Sequence, residues 1–271
     1  MVTALRPARL PELEIVDAES FAHVGVWRDL RELLDRGGYT FRLLGEGASF
    51  DRALALNLTY WSATEGGDVL AEPRLDADVV AHVGWHHLAA RAMPPRDGRA
   101  SVESLLVGEA IASAFDVYLV GRLLGRAPGS TFLETQVPLM TDTAAAAGAC
   151  DDEIERMLAS IADDPDAAFA SLYALLVDAA TAMVSAPDAA TAAAALAALD
   201  ARPLAPLLHR FELSSWALYA RAYGDPAPDP RARELDAALR AAPSPVDWLD
   251  DAWVQPALAA APAAKGRDRR R

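Results

Sequence analysis

The sequence predicts a mainly α protein in which a small N-terminal α+β part with a short-stranded sheet precedes a helical bundle. Of the 271 residues, 60 are alanine, which is the best helix former and a poor strand former. The period of the apolar residues also changes at Pro73, from about 2 to about 3.6 residues. We therefore expect strands before this proline and helices after it.

The N-terminal part mixes the two periods. A helix is expected over residues 18–36, with Asp17 as its N-cap and a pair of glycines at its end. Residues 39–44 alternate as a strand does, and residues 68–72 form a second short apolar run. These segments predict a small sheet confined to the residues before Pro73.

Residues 54–61 admit two interpretations. Leucine and tyrosine side chains alternate with smaller or polar ones, which favours a strand that ends at the turn residues Gly66 and Gly67. The alternative is a helix over residues 50–62 with Ser49 as its N-cap.

The part after Pro73 is helical in pattern. Proline and glycine steps separate its segments, and residues 128–140 read as a loop with a short helical turn. Helices are expected over residues 76–92, 101–124, 151–162, 165–185, 188–199, 204–223, 230–241 and 246–260. We divide the chain into an α+β domain over residues 1–145, a helical domain over 146–262 and a disordered basic tail over 263–271.

Charge and composition exclude several classes of function. The net charge of −14 argues against a nucleic-acid surface, which needs clustered cations. The single cysteine, Cys150, excludes an internal disulfide and a cysteine-rich zinc site. We find neither a signal peptide nor about 20 consecutive strongly apolar residues, so we expect a cytoplasmic protein that does not span a membrane.

Candidate metal ligands lie in the first two helices after Pro73. Asp78, His82 and His86 are spaced four apart and so share one face of the first helix. Two imidazoles one turn apart can bind the same metal ion, although a pair of structural histidines is the alternative. His87 points about 100° away from His86 and is a weaker candidate.

The second helix carries a carboxylate among apolar neighbours. Glu109 needs a metal, a hydrogen-bond donor or a cation such as Arg91 or Arg122, because a buried carboxylate without a partner is costly. Ser113 and Asp116 follow on the same helix. We expect them, together with Asp78, to support the ligands from behind.

These residues resemble the gluzincin group of the zincin metalloproteases. That group has His-Glu-x-x-His on one helix and a glutamate ligand on the next, and here the elements are His82-Val83-Gly84-Trp85-His86 and Gly108-Glu109-Ala110. The resemblance covers about residues 40–125. It implies a zincin-like fold with one Zn²⁺ bound by His82, His86 and Glu109, and a peptide or protein as the partner.

The chain departs from the gluzincin pattern at Val83, where the family has its catalytic glutamate. A carboxylate there acts as the general base toward water on the zinc. We therefore expect a metallopeptidase-like protein whose peptidase activity is weak or lost, with no catalytic residue identified. Glu65, Glu72 and Glu134 are carboxylates that could replace the missing base.

Two other classes of function stay open at this point. A helical protein without chemistry, which acts through protein contacts, agrees with the acidic charge and the alanine-rich helices. A ferritin-like di-metal protein is a lesser alternative, because Glu103, Glu109 and Asp116 lie on one helix but no Glu-x-x-His occurs in the chain.

Overall fold

A computed structural model describes residues 5–45 and 66–261 of the chain. Both interpretations of residues 54–61, and most of the basic tail, lie outside these described residues. Within them, the architecture is the mainly α one that the sequence predicts, with a small N-terminal α+β part.

Five short strands form two small sheets. Their bounds are β1 Arg6–Arg9, β2 Glu14–Val16, β3 Thr40–Leu43, β4 Gly66–Leu70 and β5 Arg74–Asp76. In the first sheet β3 is central, antiparallel to β1 and parallel to β4. In the second, β2 pairs in parallel with β5. Because β5 follows Pro73, confining the strands to the residues before that proline was wrong by one strand.

Twelve α-helices lie in the described part of the chain. Their bounds are α1 Ala18–Phe21, α2 Gly25–Gly37, α3 Ala77–Ala92, α4 Val102–Leu123, α5 Thr131–Ala146, α6 Asp151–Asp163, α7 Pro165–Ser185, α8 Ala189–Ala197, α9 Leu213–Tyr223, α10 Pro230–Ala241, α11 Pro245–Leu249 and α12 Gln255–Ala260. A 3₁₀ helix, Ala205–Arg210, precedes α9, and a π-helical turn, Asp250–Val254, joins α11 to α12.

Asp17 does not cap the first helix, and the helix predicted over residues 18–36 is two helices, α1 and α2. Asp17 has a left-handed backbone with φ of 63°. Its carboxylate accepts hydrogen bonds from the Ser130 hydroxyl at 2.6 Å and the Phe132 amide at 3.2 Å. The side chain therefore serves the N-terminus of α5, which is distant in sequence.

The predicted loop over residues 128–140 is largely helical, because α5 begins at Thr131 and continues through Pro138. The Ser130 hydroxyl caps this helix by accepting a hydrogen bond from the Leu133 amide. A proline is costly inside a helix, so local sequence argued for a loop. The tertiary contact with Asp17 supports the helix instead.

Helix α4 is the central element of the larger apolar core, which also contains residues of α2, α3, α7 and α9. By length and composition alone, α4 and α7 could each cross a membrane, contrary to our expectation of no such segment. However, 94% of the most apolar window of α4 is buried inside the protein, against 50% for α7. Its apolar composition is therefore that of a core helix. The site described next lies where α3 packs against α4.

Candidate metal centre

Helix α3 presents its two histidines on the face that points toward α4. Asp76 precedes the helix with an extended backbone, and Val80, Val83 and Trp85 are buried on its other faces. The rings of His82 and His86 stand 4.9 Å apart between their centroids, one turn from each other. Both side chains are half-buried, so the apolar positions of α3 fix the direction in which the histidines point.

Glu109 reaches this face from α4. Its residue is only 3% exposed, and one carboxylate oxygen lies 3.4 Å from Nε2 of His86. His82, His86 and Glu109 each offer one ligand atom, and these atoms lie within 4.8 Å of one another. The structure therefore brings together the three residues that the sequence singled out, in a group that could hold a metal ion.

The spacing of the donors fits a metal better than it fits a direct hydrogen bond. Donors at about 2.1 Å from a tetrahedral ion stand about 3.4 Å apart, whereas an N–H···O hydrogen bond is typically about 2.7–3.2 Å. Oε1 of Glu109 makes no hydrogen bond with any described residue. The two arginines that might have neutralised it are placed elsewhere, because Arg91 is exposed and Arg122 lies over the Tyr118 ring.

Of the three supporting residues that we expected, Asp116 has the clearest contact. Its Oδ2 lies 3.6 Å from Nδ1 of His82, so it can orient that imidazole and fix its tautomer. Asp78 interacts electrostatically with both Asp116 and His82. Ser113 is buried, and no contact between it and a ligand is seen in the described part of the chain.

Burial and crowding shift the ionisation of the whole group. Burial raises the pKa of Glu109 to about 7, with the charge of His82 opposing the shift and that of Asp116 adding to it. Burial also raises the pKa of Asp78 to about 7, and Asp116 adds to the shift. Each carboxyl is therefore short of positive charge in its surroundings.

The two histidines behave in opposite ways. Burial holds the pKa of His86 well below its usual value, and the charge of His82 lowers it further. Burial acts on His82 in the same direction, but the carboxylates of Asp116, Glu109 and Asp78 outweigh it and raise its pKa to about 9. Without a metal, His82 is thus the group that takes up a proton to balance the carboxylates.

Arg210, which we did not single out from the sequence, is a further charge at this site. It ends the 3₁₀ helix before α9, and its guanidinium interacts electrostatically with Asp116 and Asp78. It also donates a hydrogen bond to the Gln136 side chain of α5. When all are ionised, one guanidinium and three carboxylates leave a net charge of −2, which one divalent cation would neutralise.

A second polar pair flanks α3 on the side of Val83. The hydroxyl of Tyr39 on β3 donates a hydrogen bond to Asp68 on β4, and both residues are buried. The Tyr39 ring also meets the His87 ring edge-on, with 5.4 Å between centroids. His87 therefore contacts this pair and is not among the three clustered ligands.

A small pocket of about 30 Å³ opens beside His86, between α3 and α4. Met93, Leu105 and Gly108 are among its lining residues. This volume admits one or two water molecules, since a water needs about 10–15 Å³. His86 is thus accessible to small molecules from the side of the pocket.

Comparison of the chain with family models, curated proteins and solved structures found no match. The class that the fold and the site define is therefore a mainly α protein with a buried His/His/Glu group that could hold a metal ion.

Proposed function

We propose that the protein binds one Zn²⁺ through His82, His86 and Glu109 and that its site is related in design to that of a zinc metallopeptidase. The observation that carries the proposal is the buried carboxylate of Glu109, which faces two histidines and makes no hydrogen bond through Oε1 in the described part of the chain. Such a group costs about 1–3 kcal/mol or more if it stays unsatisfied.

The donor set favours zinc among the common metals. Two imidazole nitrogens and one carboxylate oxygen form the three-ligand set of many catalytic zinc sites, in which a fourth position stays open. Magnesium and calcium prefer sets made of oxygen alone. The net charge of −2 around the ligands also matches a divalent ion, and Asp116 supports His82 as carboxylates commonly support zinc-bound histidines.

Position 83 limits the chemistry that this site performs. Val83 is 1% exposed and packs with Leu34, Tyr39 and Phe41 in an apolar cluster, so it supplies no group for proton transfer. Loss of a general base typically reduces a rate by about 10²–10⁴. We therefore propose a weak hydrolase, acting on a substrate more labile than an ordinary peptide, or a protein that binds a peptide without cleaving it.

The ferritin-like alternative loses one of its carboxylates. Glu103 accepts two hydrogen bonds from Arg233, at 2.8 and 2.6 Å, and one from the amide of Asp229 at 2.7 Å. It is therefore committed to the packing of α4 against α10 and is not among the clustered ligands. No second group of metal-binding character was found among the described residues.

Metal analysis of the purified full chain tests the proposal. We expect one zinc per chain in the wild type and in His209→Ala, a control at an exposed histidine, and none in His86→Ala or Glu109→Gln. Two iron or manganese ions per chain would favour the ferritin-like alternative. Absence of any metal, even after incubation with zinc, would contradict the proposal and leave the protein-interaction class ahead.

A further inference from the structure

We propose that Asp68, held in place by Tyr39, is the carboxylate that faces the open side of the metal ion and exchanges protons with the reacting water. The inference rests on the zinc site proposed above and deepens it, because it names the acid–base residue that α3 itself lacks.

The first argument is the position of Asp68 relative to α3. Successive residues of a helix are about 100° apart around its axis, so Val83 lies about 100° from His82, and His87 about 40° beyond Val83. Tyr39 packs in the same cluster as Val83 and meets the ring of His87, so it lies on this flank of the helix. Its hydroxyl places Asp68 on the same flank.

The second argument is the link between Asp68 and the ligands. The charge of His82 acts on the Asp68 carboxyl and lowers its pKa, against the larger and opposite effect of burial. Asp68 is therefore close enough to feel the ligand stripe, although it belongs to a strand 14 residues earlier in the sequence. A glutamate at position 83 would project from that same flank, so strand β4 supplies a carboxylate where the helix does not.

The third argument is that the pair is built for proton exchange at a fixed position. Burial and the neighbouring carboxylate both raise the pKa of Tyr39, so its hydroxyl stays protonated and keeps donating to Oδ2 of Asp68. Burial raises the net pKa of Asp68 above its usual range, which makes it a better proton acceptor than an exposed aspartate.

The replacements that the sequence suggested are less well placed. Glu72 and Glu134 are exposed, and Glu65 lies outside the described residues. Asp68 is 8% exposed, which suits a group that works in an enclosed site.

The proposed step conserves atoms and charge. As the water oxygen forms a bond to an acyl carbon, one water proton moves to the Asp68 carboxylate. When the bond from that carbon to the leaving nitrogen or oxygen breaks, the same proton moves from Asp68 to the leaving atom. The reaction is a hydrolysis and needs no oxidant, reductant or further co-reactant.

Binding of acetohydroxamate to the zinc-loaded full chain, measured by calorimetry, tests the position of Asp68 without relying on activity. A hydroxamate binds zinc through both of its oxygens and releases a proton that an adjacent carboxylate can accept. We expect Asp68→Asn, which preserves the shape of the side chain, to weaken binding at least about tenfold, the effect of about 1.4 kcal/mol. Tyr39→Phe should weaken it less, because the carboxylate remains but loses its donor.

The chain contains a matched control for this experiment. The hydroxyl of Tyr173 donates a hydrogen bond to Asp236 at 3.0 Å, which gives a second tyrosine–aspartate pair between α7 and α10. Asp236→Asn should leave both the zinc content and the acetohydroxamate affinity unchanged. All variants are checked for native circular dichroism, and equal zinc content in each shows that Asp68 is not a ligand.

Three results would overturn the inference. If zinc-loaded Asp68→Asn binds acetohydroxamate as tightly as the wild type, Asp68 does not face the ion. If the zinc-loaded wild type binds no acetohydroxamate, the ion has no open side for Asp68 to face. If the wild type holds no zinc at all, the proposed function fails, and this inference fails with it.

Discussion

Two groups of carboxylates on α4 are equally buried and yet differ in every other respect. At its N-terminus, Asp229 of the neighbouring segment is 2% exposed and is contacted by Ser101, Arg96 and Arg231. In the middle of the helix, Glu109 is 3% exposed and faces two histidines. We call these the Asp229 cluster and the metal cluster.

The pKa values of the two carboxyls move in opposite directions. Burial raises the pKa of Asp229, but the hydrogen bonds from Ser101 and Arg231 outweigh it, so the net pKa is lowered. At Glu109 burial prevails, and the pKa is raised to about 7. Burial alone therefore does not indicate a functional carboxylate. The useful signal is burial combined with a shortage of donors, since that combination asks for a cation.

The largest expected effect is the loss of the Asp229 cluster. In Asp229→Ala, the Ser101 hydroxyl and two arginines lose their acceptor, and we expect the free energy of unfolding to fall by about 3–5 kcal/mol. Urea denaturation of the metal-free protein measures it. Glu155→Ala, an exposed site on α6, is the control and should change it by less than about 0.5 kcal/mol. A similarly small change for Asp229→Ala would show that this cluster does not stabilise the fold.

Zinc should stabilise the metal cluster by an amount that comes second. At free zinc of about 100 times its dissociation constant, the gain is about 2.7 kcal/mol, or roughly 5–10 °C in melting temperature. Glu109→Gln should lose this gain. Without metal, the same variant should be neutral or slightly more stable, because it removes an unneutralised buried carboxylate. Thermal melts with zinc and with chelator measure both effects, and Glu234→Gln at an exposed site is the control.

If Glu109→Gln instead destabilised the chelated protein as strongly as Asp229→Ala does, the two clusters would be alike. Glu109 would then be a structural carboxylate satisfied by the histidines. The distinction between the clusters would disappear together with the argument for a cation.

Asp116 should have an intermediate effect, confined to metal affinity. Its carboxylate lies 3.6 Å from Nδ1 of His82, and loss of such a supporting contact typically weakens metal binding about 10- to 100-fold. We expect this change for Asp116→Asn in a zinc competition titration with a chromogenic chelator. Asp236→Asn is the control. Unchanged affinity would show that His82 needs no support from Asp116.

Acid should destabilise the Asp229 cluster in a defined direction. Because the folded pKa of Asp229 is lowered, the unfolded chain binds the proton first as the pH falls. The stabilisation is therefore complete well above the unfolded pKa of about 3.9 and is lost as the pH falls from there through the folded pKa. Asp229→Asn should show a shallower loss of stability over this acidic range than the wild type. Parallel curves for the two proteins would contradict the assigned shift.

Sequence reasoning identified the parts of the site that are local in the chain. The four-residue spacing of His82 and His86, and an acidic residue within an apolar helix, are visible without tertiary structure. The partners that arrive from elsewhere were missed. Asp68 meets Tyr39 only because β3 and β4 pair in parallel, and Arg210 follows a 3₁₀ helix that we had merged into α9. Neither residue stands in a local pattern that indicates its role.

The fold shows the same limit at Asp17 and Pro138. A cap is normally inferred from the residue just before a helix, and Asp17 stands in that position for α1. The structure uses it for α5 instead, 113 residues away at Ser130. That distant contact also supports a helix containing Pro138, which local rules describe as a loop. Such assignments depend on packing that no short window of sequence contains.

The smallest expected effects separate two serines on the same helix. The Ser101 hydroxyl accepts a hydrogen bond from the Ser104 amide at 2.9 Å and donates one to Asp229 at 3.1 Å. We expect Ser101→Ala to lower the free energy of unfolding by about 1 kcal/mol, the usual value of an N-cap. Ser113→Ala should leave zinc affinity within about twofold, since no contact of Ser113 with a ligand is seen in the described segments and lost supporting contacts cost more than this. Urea denaturation and the zinc competition titration measure the two. A tenfold loss of zinc affinity in Ser113→Ala would place that hydroxyl behind a ligand after all, and the metal cluster would then extend further along α4 than its contacts indicate.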